Sequence, residues 1–378
     1  MVSERVIQVL QPVYGEEEIA AVAEVLRSGW VGLGPKTKAF EQEFAKYLGC
    51  DYVIALNSGT AALHLAALAL QLQPGDEVIV TPITFVSTVH VIRYCGATPV
   101  FADVEPDTLN LDPADISRKI TDRTRGVFCV HYGGHPVDLD AIQAIAEPRG
   151  IYVVEDAAHA CGAIYKGRKI GTISELTCFS FHAVKNLAMG EGGAITCNSD
   201  WYARYFSQMR WLGISRDTFS RTADEKVYAW QYWVDRLGYK YHLHDISAAI
   251  GLVQLQKLDA NNERRRQMVV RYQEAFANVD WLERPVEKDY ARSSWHLYVV
   301  KLPGHRERDA MIRHLKDRGV APGVHYYPIN LHPYYKDIKA VVPVANEIWK
   351  RIITLPLHLA LTSHDQDRVI EAILEFRP

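Results

Sequence analysis

The chain has 378 residues, 48% apolar and 23% charged, with a net charge of −3. That length supports more than one hydrophobic core, and the nearly balanced charge gives no field suited to a phosphate polymer, so nucleic acid is not expected as a partner. No uninterrupted apolar stretch reaches the roughly 18 residues of a membrane span, Met1 to Gln11 lacks a signal-peptide core, and six scattered cysteines without a C-x-x-C pair fit a reducing cytoplasm.

From the N-terminus, Glu16 to Leu26 sets Ile19, Val22, Val25 and Leu26 at helical spacing, and Gly29 is a suitable stop. The turn Gly29 to Pro35, an inter-helix connection or a ligand-lining loop, precedes a second helix with Phe40, Phe44, Tyr47 and Leu48 on one side. From Asp51 to about Cys197, short β-rich runs alternate with helical segments: Val53 to Leu56, Glu77 to Val80, Pro99 to Val104, Gly126 to His131, Ile151 to Val154, Cys178 to Phe181 and Ala194 to Cys197. This alternation predicts an α/β fold with a mostly parallel sheet, and such sheets bind ligands beyond the carboxyl ends of their strands. The residues that follow each strand are therefore the candidates.

Asn57-Ser58-Gly59-Thr60 runs directly into a helix, whose free N–H groups favour an anion such as phosphate; Ser58 or Thr60 as a plain N-cap is the alternative. Phe85 follows the second strand and could stack on a planar cofactor or belong to the core. Asp156 ends a buried strand, where a carboxylate needs a cation or a donor, unless it caps the next helix. Lys185 lies between Ser180 and the turn Glu191-Gly192-Gly193, where a surface lysine is the competing explanation. No G-x-G-x-x-G, G-x-S-x-G or H-E-x-x-H occurs, and His131 and His135 with no third ligand make a poor metal site. Taken together, an anion cradle, an aromatic plate, a strand-end carboxylate and a lysine match the needs of pyridoxal 5′-phosphate (PLP): phosphate on the helix N-terminus and Ser180, ring on Phe85, pyridinium nitrogen on Asp156, aldehyde on Lys185 as a Schiff base.

The segments NSGTAALHLA, PITFVSTVHVI, VHYGGHPVDLDAI, VVEDAAHACGA, FSFHAVKNLAMGEGG, LGYKYHLHDISAAIGLVQL and GVHYYP resemble successive blocks of the DegT/DnrJ/EryC1/StrS family. These are PLP-dependent nucleotide-sugar aminotransferases of the aspartate aminotransferase fold type I, and the spacing is most like that of the enzymes forming UDP-4-amino-4-deoxy-arabinose. The resemblance implies a large PLP-binding domain over residues 1–260 and a smaller α+β domain over 261–378. It also implies transfer of an amino group from L-glutamate to a keto group, at C4 or alternatively C3, of a nucleotide-linked sugar.

By the same resemblance Lys185 is Schiff-base partner and proton shuttle, and Asp156 keeps the pyridine nitrogen protonated. His159 lies beside the ring, Gly59, Thr60 and Ser180 bind the phosphate, and Phe85 stacks. His182 and Asn186 read as architectural. Related enzymes are homodimers with shared sites, and His242 replaces a frequent asparagine that contacts the partner's phosphate, where a cationic imidazole would suit. His325 resembles a histidine near the sugar, with a packed loop histidine as the alternative. Arg216, in the aromatic-rich segment Trp211 to Asp235, is a candidate diphosphate contact. A PLP-dependent sugar dehydratase would replace Lys185 with histidine, and a non-catalytic regulatory protein of this fold would show decay among Thr60, Asp156, Ser180 and Lys185.

Overall fold

Runs rich in Val, Ile and Ala become strands here because branched side chains pack well on a pleated surface that is covered on both faces. The computed structural model describes residues 5–215 and 232–378. In chain order the first nine strands are β1 (Tyr52–Leu56), β2 (Glu77–Val80), β3 (Thr98–Phe101), β4 (Thr124–Val130), β5 (Tyr152–Asp156), β6 (Ile164–Tyr165), β7 (Arg168–Lys169), β8 (Leu176–Ser180) and β9 (Gly193–Cys197). Seven form one sheet in the order β1-β9-β8-β5-β4-β2-β3. The pairs from β8 through β3 are parallel, whereas β9 runs antiparallel to both neighbours. The connection from β8 to β9 contains no helix, which is why the chain returns antiparallel.

The period-two alternation of each strand splits its side chains between two helical layers. Ile54, Leu56, Val78 and Val80 share a core with residues of α3 (Gly59–Ala69), α4 (Ser87–Tyr94) and α7 (Asp200–Met209), the last placed here in chain order after α5 (Pro113–Lys119) and α6 (Leu139–Ala146). Val53, Ala55 and Ile79 face the opposite layer, where Phe40 of α2 (Pro35–Leu48), Ile142 of α6 and Leu258 of α8 (Asp245–Ala275) pack. The N-terminal helix α1 (Glu16–Ser28) forms as expected, yet Ile19 and Leu26 stay exposed. It seats on α8 through Val25 and Glu18, the latter accepting from Gln254 and Lys257 at 2.9 and 2.7 Å.

Helix α8 crosses residue 260 without a break and leaves the sheet layer for a third core, which contains Met268, Val269 and Tyr272. That core also holds the antiparallel pair β11 (Tyr298–Lys301) and β12 (Ile352–Leu355), with α9 (His305–Asp317) and α11 (Ser363–Glu375) over it; α10 (Pro343–Ile348) instead packs on the sheet. The two-residue strand β10 (Ala291–Arg292) pairs with β6. Ile7 pairs with Val320 and lies in this third core, so the first described residues pack with the C-terminal elements. Among the described residues no helix is long and apolar enough to cross a membrane.

Candidate active site

Because β1, β2, β4, β5 and β8 all point the same way, their carboxyl ends converge where β9 begins. A cavity of about 440 Å³ opens there. At one end, β1 gives way to α3 through Ser58, whose Oγ accepts the Ala61 N–H at 3.1 Å. The capping alternative for Ser58 is thus what the hydroxyl does, while Gly59 and Thr60 present first-turn N–H groups that have no helical carbonyl to bond. The chains approach closely here. A Cβ on Gly59 would stand 2.8 Å from Ser180 Cβ, and one on Gly193 would stand 2.4 Å from the Ser58 carbonyl, so only glycine lets β8 and β9 press against this helix start.

Strand alternation sends Glu155 to one face of the sheet and Asp156 to the other. Glu155 is wholly buried with His131, whose Nε2–H donates at 2.8 Å because Nδ1 already accepts the Val137 N–H. Asp156 faces the cavity. One of its oxygens accepts from Thr88 Oγ1 at 2.7 Å and the other from the Ala158 N–H at 3.0 Å; the chain runs from β5 to β6 with no helix between, so the second bond closes a turn and the helix cap weighed as the alternative does not form. Thr84 stands 2.9 Å behind Thr88. Burial raises the Asp156 pKa, opposed by the Thr88 and Ala158 hydrogen bonds and by the charge of Lys185.

Lys185 lines the cavity, and its ammonium has no hydrogen bond or ion pair among the described residues. Burial lowers its pKa to about 8, with Asp156 pulling the other way, so near neutrality a useful fraction is the free amine. Opposite stands an imidazole and phenol wall. His159 Nδ1 accepts the Gly133 N–H at 3.3 Å, which puts its proton on Nε2, 3.1 Å from Tyr326 Oη. Burial, then Lys185 and His325, hold His159 well below its usual pKa, so it is neutral.

The cavity brings together Ser58, Gly59, Thr60, Phe85, Ser180 and His325 with Asp156, His159 and Lys185. Phe85 is no core residue; it is 58% exposed at the mouth, 6.4 Å from the Tyr326 ring. His325 lies in the wall of its own chain's cavity, with Nδ1 2.8 Å from Thr354 Oγ1. Asn186 is architectural, tying the lysine loop to Asn262 and to the Ser294 carbonyl, each at 2.8 Å. His182 has its side chain exposed at the mouth, 3.8 Å from Glu191, while its backbone carbonyl accepts the Lys185 N–H at 2.8 Å.

His242 does not reach this cavity. It bridges to Leu56 and packs edge-on against Trp211 at 4.5 Å. Burial, then the nearby Lys240 and Arg210, lower its pKa to about 4, so near neutrality the ring is uncharged and the cationic form expected for it is not the resting one. Arg216 lies outside the described residues. Among the cavity residues that the sequence reading did not single out are Thr88, Tyr326 and His296. Thr88 sits one helical turn from Phe85, and Tyr326 lies in the quoted GVHYYP, so both carried a signal; His296 precedes β11 far from any other motif and carried none.

This fold and site define a PLP-dependent transferase of fold type I: the residues suit the cofactor because an uncommitted lysine, a buried strand-end carboxylate and a helix N-terminus share one cavity. The chain belongs to the DegT/DnrJ/EryC1/StrS aminotransferase family, which it matches over residues 12–374. It is 43% identical over 370 residues to the spore coat polysaccharide biosynthesis protein SpsC of Bacillus subtilis, covering 96% of this chain and 95% of that one. Among solved structures it resembles the PMP-form of the putative sugar aminotransferase Spr1654 from Streptococcus pneumoniae, with TM-score 0.91, 33% identity and coverage of 96% and 97%. The aminotransferase TlmJ from Streptoalloteichus hindustanus gives TM-score 0.91 at 36% identity, covering 97% of each chain. The protein is a PLP-dependent sugar aminotransferase by family.

Proposed function

We propose that the protein moves the amino group of L-glutamate to the C4 keto group of a nucleotide-linked sugar. The observation that carries the reading is Lys185: a partly buried amine of lowered pKa, unpaired, in one cavity with a buried Asp156. A dehydratase built on this site would have no use for a lysine there, and an inactive relative would have no reason to keep it unpaired.

The phosphate of PLP would be held by the Gly59 and Thr60 N–H groups, the Thr60 hydroxyl and Ser180, its ring by Phe85 and His159, and its nitrogen by Asp156. When bound, PLP supplies an electron sink that lets a C–H bond beside the amino group ionise. Lys185 would take that proton on Nζ and pass it on, which its depressed pKa permits near neutrality. Thr88 and Ala158 donate to Asp156 and favour its ionised form against the burial that raises its pKa. His325 and Arg216 are assigned to the sugar nucleotide. A homodimer is supported by apolar side chains left in water, Leu237 at 88% and Tyr94 at 60% exposed, which a second copy would cover, bringing His242 toward the partner's phosphate.

Purified protein with PLP should show a band at roughly 410 to 430 nm from conjugation with the lysine amine. Lys185→Ala should abolish it, and L-glutamate should bleach it in the wild type. A panel of 3-keto and 4-keto sugar nucleotides should then restore the band, C4 substrates fastest. A mutant indistinguishable from wild type would overturn the role of Lys185, and restoration only by 3-keto sugars would move the reaction to C3.

A further inference from the structure

We propose that His296 is a further substrate-binding residue of this site: a neutral imidazole whose Nε2 accepts a hydrogen bond from an N–H or O–H group that a substrate carries in beside Lys185. The inference deepens the aminotransferase reading and rests on it.

The polarity of the ring is fixed from outside the cavity. The Ser294 carbonyl can only accept, so the Asn186 atom 2.8 Å away is the amide nitrogen, and that nitrogen also donates to Asn262 Oδ1. Asn262 is held in turn by donating to the Cys161 carbonyl at 3.0 Å. The remaining atom of Asn186 is therefore its oxygen, 3.1 Å from His296 Nδ1, and Nδ1 must carry the proton. That leaves a bare lone pair on Nε2. His296 lines the cavity, its ring centroid lies 4.4 Å from that of His159, and Nε2 has no partner among the described residues.

The surroundings keep it an acceptor. The residue is 2% exposed, and burial first, then Lys185, His159, Arg265 and His325, disfavour a cation there. Arg265 is itself buried, its Nε and Nη1 without partners among the described residues, so protonating His296 would put a second charge beside one already unmet. His159 shows the opposite polarity: its Nε2–H donates to Tyr326 Oη, which frees the Tyr326 proton to be donated. The cavity thus offers one fixed acceptor and one donor on the same wall. A ligand there needs a hydrogen to give to His296, and two sources share that chemistry: the nitrogen of the amino donor and a hydroxyl of the sugar.

Two variants separate the acceptor from the packing. His296→Asn keeps an N–H near the Nδ1 position for Asn186 and deletes the acceptor; His296→Gln restores an oxygen near the Nε2 position. One arm titrates PLP-loaded protein with 2-methyl-L-glutamate, which binds but has no proton to lose, and reads Kd from absorbance. The other measures KM and kcat with a dTDP-4-keto-6-deoxyhexose as acceptor. His296→Asn should weaken binding about tenfold in one or both arms, and His296→Gln should recover most of it. A change in the first arm identifies the amine as the source, and a change in the second identifies a hydroxyl. The proposal falls if both variants match wild type, if both are equally impaired, or if the variants alone lose the PLP band. A wild type without that band would instead refute the cofactor reading on which the proposal rests.

Discussion

Replacing Thr88 by valine removes one hydroxyl from Asp156 at nearly constant volume, and it tests whether the carboxylate is held ionised by its neighbours or merely placed. Thr88 Oγ1 donates to Asp156 at 2.7 Å in a buried setting, and burial itself pushes the Asp156 pKa up. A hydrogen bond to a charged group contributes ~1.5–3 kcal/mol, and 1.36 kcal/mol corresponds to one pKa unit. Losing the bond should therefore remove stabilisation of that order from the ionised form and raise the Asp156 pKa further. The sign is set by which form works: in the proposed arrangement PLP binding through its ring nitrogen needs the Asp156 carboxylate ionised, so the acid limb of PLP affinity should move to higher pH. Equilibrium PLP binding from pH 4.5 to 9 in wild type, Thr88→Val and Thr88→Ser measures it, with the serine variant restoring the wild-type limb. An unchanged limb in Thr88→Val would refute the argument, because it would show that the Ala158 N–H and Lys185 suffice without Thr88.

Two further outcomes concern stability. Asp245, with no solvent exposure, accepts from the backbone N–H groups of Gly34, Lys36 and Thr37 and from the Thr37 hydroxyl. Asp245→Asn turns one acceptor into a donor facing the Lys36 N–H, and chemical denaturation should show a loss of ~2–4 kcal/mol. The buried Glu155 has its pKa raised by desolvation but lowered on balance by His131 and Ser174. A depressed folded-state pKa contributes stability above the unfolded value of about 4.3 and loses it as pH falls through the folded value. The stability gap between wild type and Glu155→Gln should accordingly be widest near pH 7 and shrink below about pH 4, and a constant gap would mean that the pair contributes packing alone.

The strands and the residues at their carboxyl ends were legible because burial on both faces writes continuous apolar runs and because a parallel sheet puts function at one edge. Asp156, Lys185 and the Ser58 to Thr60 turn were found that way. What stayed hidden depends on where side chains meet rather than on local pattern. His296 becomes a cavity residue only through Asn186, a tie between positions 110 residues apart in the chain. Ile19 and Leu26 read as a buried stripe, yet the packing surface of α1 is set by Glu18 meeting Gln254 and Lys257, an ionic contact that apolar periodicity does not report. His242 read as a possible cation, and only its burial beside Lys240 and Arg210 shows the neutral ring.

The role proposed for Lys185 needs two properties that compete: a backbone held in one place and a head group free to swing between two carbons. The loop meets the first with its own ladder, in which Phe181 N–H bonds the Gly192 carbonyl, Met189 N–H the Phe181 carbonyl, and Lys185 N–H the His182 carbonyl. Asn186, next in sequence, fastens that ladder to α8 and to the Ser294 carbonyl. The second is met by omission. Among the described residues no carboxylate or carbonyl holds the ammonium by a hydrogen bond, and Asp156 acts on it through its charge. An ion pair at Lys185 would have raised its pKa and pinned Nζ, whereas burial without a partner lowers the pKa and leaves the amine available. The same Asn186 that anchors the lysine also sets the tautomer of His296, so one amide couples the position of the proposed proton carrier to the polarity of the wall it faces.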